Sequence, residues 1–182
     1  MSEEFGQPDV CMKVEDGVFK VRGSVKVDAD PETVHSIIRD HKESARVFKS
    51  LQRVDVDPQR SGKNECVVTQ HSQWKFLFWS GVYSVTLRFK HDPMSHTSSL
   101  CLERPGMMRR FDGFWTVTSL ANEKKDTSMV VFRQEIQLAI SPPGPFARFG
   151  GQIMVNQVKS VLNDIVTEAS KIKSGERSPN TN

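Results

Sequence analysis

The order of patterns along the chain constrains its fold more than any single motif. A clean strand pattern, FKVRGSVKVDA from Phe19, runs straight into a short helix signal at Asp30-Pro31-Glu32-Thr33-Val34. Strand-like alternation then occupies residues 51–140 with hardly any helical period. One long amphipathic pattern, residues 146–173, follows. Runs of strands followed by a helix predict an antiparallel sheet with its helices segregated to one side. A long sheet curved around one helix readily encloses more space than side chains fill. A ligand cavity is therefore the leading functional expectation.

Local signals support this order. In the first strand Phe19, Val21, Gly23, Val25 and Val27 alternate with Lys20, Arg22, Ser24 and Lys26, giving one buried and one wet face. Asp30 is placed to cap a helix, with Pro31 at its first position and Val34, Ile37 and Ile38 as its apolar stripe. A second short helical turn is expected over residues 44–48. Strands are expected at residues 51–57, 64–74, 81–90, 98–104, 108–120 and 128–140, separated by PQRSGKN, HDPMSH, RPG and ANEKKD. The segment WKFLFWS, from Trp74 to Ser80, carries no turn residue, so the bend between Trp74 and Gly81 is not located. In the last helix Val155, Val158, Leu162, Ile165, Ala169 and Ile172 form one apolar face, widened by Met154, Val161 and Val166. The expected organisation is a flexible N-terminal arm at 1–17, one domain at 18–173 and a disordered tail at 174–182.

Composition excludes several classes. A net charge of +3, with basic residues dispersed among acids, gives no footprint for nucleic acid. Nowhere do 18 apolar residues run together, so no membrane span is expected. Three cysteines without CxxC spacing predict free, mostly buried thiols in a reducing compartment. The acidic start, Met-Ser-Glu-Glu, has neither secretory nor transit character. The histidines His35, His41, His71, His91 and His96 show no metal-ligand spacing, and GxSxG, P-loop and dinucleotide motifs are absent. No catalytic residue, metal or cofactor is expected on these grounds.

Alternation assigns an inner face to each strand: Val68, Gln70, Ser72 and Trp74; Tyr83, Val85, Leu87 and Phe89; Leu100, Leu102 and Arg104; Phe111, Gly113, Trp115 and Val117; then Val130, Phe132, Gln134, Ile136 and Leu138. Most of these are core residues. Gln70, Ser72, Tyr83, Arg104 and Gln134 are not, and burying a polar group costs free energy unless it is hydrogen-bonded. Several converging polar groups on an apolar wall describe a pocket. The rival reading puts each of them at a strand end in contact with water. Gly113 marks a bend, a bulge or a close approach.

The chain resembles the START-like, Bet v 1-like superfamily (SRPBCC), nearest its polyketide cyclase/dehydrase and coenzyme Q-binding branch. The resemblance covers residues 19–173. It is carried by the first strand with Val-Asp-Ala-Asp-Pro-Glu-Thr-Val, by Phe111-Asp-Gly-Phe-Trp115, and by the helix after Ser-Pro-Pro-Gly-Pro. It implies an α+β helix-grip fold: six or seven antiparallel strands curved around a long C-terminal helix, with two short helices after strand one. Members bind lipids, isoprenoid quinones, polyketides or hormones, a minority are enzymes, and no shared catalytic set carries over. The motifs are similar to those of plant, algal and cyanobacterial members, so plastid stroma stands beside cytoplasm as the expected location.

The leading expectation is a monomeric carrier or sensor of a hydrophobic small molecule. Trp74, Tyr83, Leu100, Leu102, Trp115, Phe132 and Ile136 would line the cavity with Val155 and Val158, and Gln70, Arg104 and Gln134 would orient a polar head. Trp74, Phe76, Phe78 and Trp79 could touch a membrane surface. The alternatives are an aromatase/cyclase-type enzyme using Tyr83 or Arg104, and an assembly factor that docks through the aromatic hairpin or the Arg109-Arg110 turn without a ligand.

Overall fold

Alternation in the sequence becomes one antiparallel sheet in the computed structural model, which describes residues 6–76, 79–120, 126–139 and 145–176. The strands are β1 (Asp9–Glu15), β2 (Val18–Val27), β3 (Leu51–Asp57), β4 (Glu65–Phe76), β5 (Trp79–Asp92), β6 (Thr97–Leu102), β7 (Met108–Ser119) and β8 (Ser128–Leu138). Their order across the sheet is β1-β2-β8-β7-β6-β5-β4-β3. Among the described residues there are thus eight strands, one or two more than expected. The helices are α1 (Pro31–Arg39), α2 (Ser44–Val47) and α3 (Pro145–Lys173). The fold is the α+β helix grip that the resemblance implies: a curved antiparallel sheet holding a long C-terminal helix.

The additional strand is β1, which lies in the stretch expected as a loose arm. Asp16 (φ 51°) and Gly17 (φ 76°) both adopt positive φ, the conformation a two-residue type I′ hairpin turn requires, and Glu15 pairs with Val18 across it. Val10 and Met12 pack against the core from this edge strand. β4 and β5 pair as far as Phe76 opposite Trp79, which narrows the reversal that the sequence left open.

Helix α1 starts where the sequence predicts. The Asp30 carboxylate accepts from Thr33 N at 2.9 Å and from Thr33 Oγ1 at 2.6 Å, which satisfies a donor that the helix start leaves free. These bonds hold the Asp30 carboxyl below the usual carboxylate range despite its burial. In α3 the buried stripe is Met154, Val158, Leu162, Ile165 and Ala169, so Met154 takes the place expected for Val155.

The strand registers align the inner residues in rows. One row runs His91–Ser98–Trp115–Phe132–Gly23, from β5 across to β2. The next runs Cys66–Phe89–Leu100–Gly113–Gln134–Val21. At the end of the first row, a Cβ on Gly23 would lie 2.7 Å from both Leu162 Cδ1 and Val158 Cγ1. The missing side chain lets α3 settle onto β2.

Candidate functional site

A cavity of about 80 Å³ lies between the sheet and α3. Its floor is Leu87, Phe89, Leu100, Phe111, Trp115 and Phe132, its helix wall is Gln157, Val158 and Val161, and its cover comes from Ile38, His41, Ser44, Phe48, Ser50 and Leu51. Trp115 and Phe132 stack with centroids 3.9 Å apart and rings within 15° of parallel. Leu100 fits over Gly113, where an added Cβ would stand 2.8 Å from its Cγ. Gly113 is thus a close approach; the register shift in β7 falls elsewhere, between Met108 and Arg110.

The polar members of this lining are few and specific. Gln134 is 4 % exposed, and its side-chain Nε2 has no hydrogen-bond partner. A buried donor left unpaired costs about 1–3 kcal/mol. Gln157 Nε2 donates to the Tyr83 hydroxyl at 3.2 Å, which fixes the Gln157 amide at the helix wall. Ser44 Oγ donates to Asp40 O at 3.0 Å. His41 is the only ionisable group among the described lining residues, and burial pushes its pKa down to about 4.

The cover, residues 41–51, is tied to α3 by polar bonds. Arg46 forks onto the buried Glu168 carboxylate, with Nη1 at 3.2 Å and Nη2 at 2.5 Å from its two oxygens. Lys49 N donates to the buried Asp164 carboxylate at 3.0 Å. Burial raises the Asp164 carboxyl above its ordinary value, against the opposing pull of the Lys49 amide.

Of the residues expected at the site, Gln70, Leu100, Trp115, Phe132, Gln134 and Val158 meet in this lining. Arg104 does not: β6 ends at Leu102, so the alternation that aimed Arg104 inward stops short of it and the side chain is exposed. Val155 is half-buried beside the stripe rather than on the cavity wall. Ile136 is enclosed in the core, Leu102 packs against the core from a strand end, and Tyr83 packs against the core and accepts a hydrogen bond from Gln157 of the lining. The side chains of residues 74–80, including Trp74, Phe76, Phe78 and Trp79, lie outside the described residues. The three cysteines are free thiols, but Cys11 and Cys101 are exposed where burial was expected.

A second, wider space of about 640 Å³ opens where β4 begins and β5 ends. His41, Cys66 and His91 border it, and their ligand-type atoms lie within 4.8 Å of one another. His41 Nε2 and His91 Nε2 are 3.0 Å apart. The neighbours fix one tautomer. Thr97 O can only accept, so His35 Nε2 at 3.1 Å carries a hydrogen, which also faces Ser98 Oγ at 2.9 Å. Ser98 Oγ then has its own hydrogen free for His91 Nδ1 at 2.7 Å, and in that tautomer His91 Nε2–H donates to His41. This assignment also explains His35 Nδ1, a bare acceptor with no partner. Burial pushes His91 down to about 3, helped by the adjacent His41, and pushes the Cys66 thiol up to about 11.

The sequence offered no linear metal spacing, yet the fold assembles this group. Cys66 and His91 extend the inner-face alternation by one step beyond Val68 and Phe89, and Ser98 extends it by one step before Leu100. That extension was the available signal. His41 sits between α1 and α2, where no period applies.

Residues 9–131 match the model of a family described as a domain of unknown function, DUF220. The chain belongs to the DUF220 family. No curated protein matches it. Among solved structures, this DUF220 chain is similar to the Zhui aromatase/cyclase from Streptomyces sp. R1128, with a TM-score of 0.74, 16 % identity, and 88 % of this chain and 97 % of that one covered. A STAR-related lipid transfer protein fragment from Xanthomonas axonopodis matches with a TM-score of 0.70 and 13 % identity over 93 % of this chain and 97 % of that one. A START superfamily protein from Mycobacterium smegmatis gives a TM-score of 0.64 at 13 % identity, covering 84 % and 98 %. At these identities the likeness establishes a START/Bet v 1-like fold for the DUF220 chain, and the fold alone. None of its described helices is long and apolar enough to cross a membrane.

Proposed function

We propose that this chain binds a hydrophobic small molecule carrying a hydrogen-bond acceptor, in the cavity between the sheet and α3. The observation that carries the reading is the unpartnered Nε2 of Gln134, a residue 4 % exposed, in a lining that sets Leu87, Leu100, Trp115 and Phe132 beside it. A carbonyl on an apolar guest would supply the missing acceptor, and the rings would supply contact area. A lipid or isoprenoid quinone has this chemistry. The names of two similar structures, a lipid transfer protein and an aromatase/cyclase, support a guest of this kind.

Size adds a condition. The cavity, about 80 Å³, is smaller than the roughly 150 Å³ that admits benzene and far below the usual ligand range. A guest must therefore displace the cover, residues 41–51, and break its bonds to Glu168 and Asp164. Binding is a gated event in this reading, and its rate depends on those tethers.

The second reading, a cyclase-type enzyme, takes support from the Zhui likeness. Its acid/base group would be His41, because Arg104 is exposed and Tyr83 does not border the cavity. Nothing in the described lining supplies a second ionisable group, so carriage or sensing is the better-supported reading.

The test is a titration with a long-chain methyl ketone and with the alkane of equal length, beside native mass spectrometry of protein from its own source. The ketone should bind about tenfold tighter than the alkane to the native chain, the value of one hydrogen bond. Gln134→Leu should erase that preference while keeping the fold by circular dichroism. A chain that comes out empty and binds neither probe overturns the proposal, and so does a ketone preference that survives Gln134→Leu.

A further inference from the structure

We propose that His41, Cys66 and His91 form a binding site for a thiophilic first-row cation of the zinc class, with one coordination position open to the wide cleft. The ligands come from three separate parts of the fold: the connection after α1, the start of β4 and the end of β5. Their donor atoms lie within 4.8 Å of one another, and the two Nε2 atoms are 3.0 Å apart. Donors on one tetrahedral zinc sit roughly 3.3–3.6 Å apart, given bonds of about 2.0–2.3 Å. Closing the group around an ion thus needs shifts on the order of 1 Å, within reach of side-chain torsions.

The donor set selects the ion. Two imidazoles and a thiolate suit zinc and its neighbours, and they disfavour magnesium and calcium, which take oxygen ligands. A supporting group is also in place. Ser98, 1 % exposed, holds His91 Nδ1 at 2.7 Å, and Ser98 is itself held by His35 at 2.9 Å. A metal-bound imidazole commonly has such a partner on its far nitrogen. Here that partner keeps the His91 ring aimed at Cys66 and His41.

Binding balances in protons. Without the ion, His91 Nε2–H donates to His41 Nε2, and one lone pair is bound up in that contact. With the ion, the His91 proton moves to Nδ1, where Ser98 Oγ accepts it, and both Nε2 lone pairs turn to the metal. Cys66 gives up its thiol proton to water and binds as thiolate. One cation enters and one proton leaves. The fourth position faces the cleft of about 640 Å³, whose rim carries both signs of charge: Arg39, Lys42 and Lys63 beside Asp40, Glu65 and Asp92. Water or another oxygen donor would fill it.

The experiment uses the full chain, stripped with a chelator and then titrated with zinc ion against a chromophoric competitor and, separately, with cobalt ion. One zinc per chain is expected. Cobalt should give the thiolate charge-transfer and ligand-field bands of a tetrahedral sulfur-bound ion. Cys66→Ser should abolish the charge-transfer band, His91→Gln should weaken zinc at least tenfold, and Ser98→Ala should weaken it about tenfold. Cys11→Ser and Cys101→Ser, at the two exposed thiols, should change nothing. Because buried substitutions can unfold a chain, thermal unfolding is measured in parallel: zinc should raise the midpoint of the native chain and leave that of Cys66→Ser unchanged. Absence of zinc binding at micromolar concentrations overturns the proposal. So does a cobalt–thiolate band that survives Cys66→Ser or disappears with Cys101→Ser.

Discussion

The two spaces differ in almost every respect. The cavity under α3 is narrow, walled by stacked rings, and covered in part by a segment bonded to Asp164 and Glu168. The cleft beside β4 and β5 is about eight times larger by the two volumes, 640 against 80 Å³, and its rim is charged. Volume alone would choose the cleft as the ligand site. Chemistry separates them: an apolar guest gains from the aromatic wall, whereas the cleft has charged residues around its rim. The lesson is that a guest's site is set by what the wall lacks. In the cavity that is an acceptor for Gln134, and at the cleft it is a centre for three inward-facing donors.

Phe132→Ala gives the sharpest separation. Removing the ring that stacks on Trp115 should cost about 3–5 kcal/mol in urea unfolding. It should also admit apolar probes faster, because the cavity is enlarged. Zinc affinity should stay within twofold, because Phe132 is not one of the three donors and does not border the cleft. Gly23→Val acts from the opposite side. Its side chain must push against Leu162 and Val158 and lift α3 off β2, costing about 1–3 kcal/mol. Probe binding should change with it if the helix is the cavity's wall. Asp164→Asn is the smallest effect, at most about 1 kcal/mol. The carboxyl of Asp164 holds its proton more firmly in the folded chain than in the unfolded one. Its charge therefore costs stability above the folded pKa, and that cost fades as pH falls towards the ordinary carboxylate value. The variant should be as stable as the native chain or more so at pH 7, with the gain vanishing near pH 4. Thermal midpoints from pH 7 to pH 4 check this.

Much of the fold was legible because its signals are local. Asp30-Pro31 fixed the start of α1, and alternation placed the inner faces of β2, β7 and β8. β1 was also written locally, in Asp16-Gly17 between Val10-Cys11-Met12 and Val18-Phe19, but its polar company masked it. Site residues in strand centres, such as Trp115 and Gln134, could be read from alternation. Arg104 could not, since β6 leaves the sheet after Leu102, ahead of Pro105-Gly106, although both its neighbours run on past that point. The His41, Cys66 and His91 group needed the pairing register, because residues 25 or more apart in the chain meet only once β4, β5 and the connection after α1 are in place. The depth of the cavity needed the packing of α3, which no single strand encodes.

The ring of His41 borders both spaces. A single imidazole cannot take up two orientations at once, so whatever turns it towards Cys66 also changes the cover over Gln134. Two occupants that both act on one ring are thermodynamically coupled. If a cation alters the affinity for an apolar guest by some factor, the guest must alter the affinity for the cation by that same factor. The protein would then read one chemical species in terms of the other, with His41 as the point of exchange.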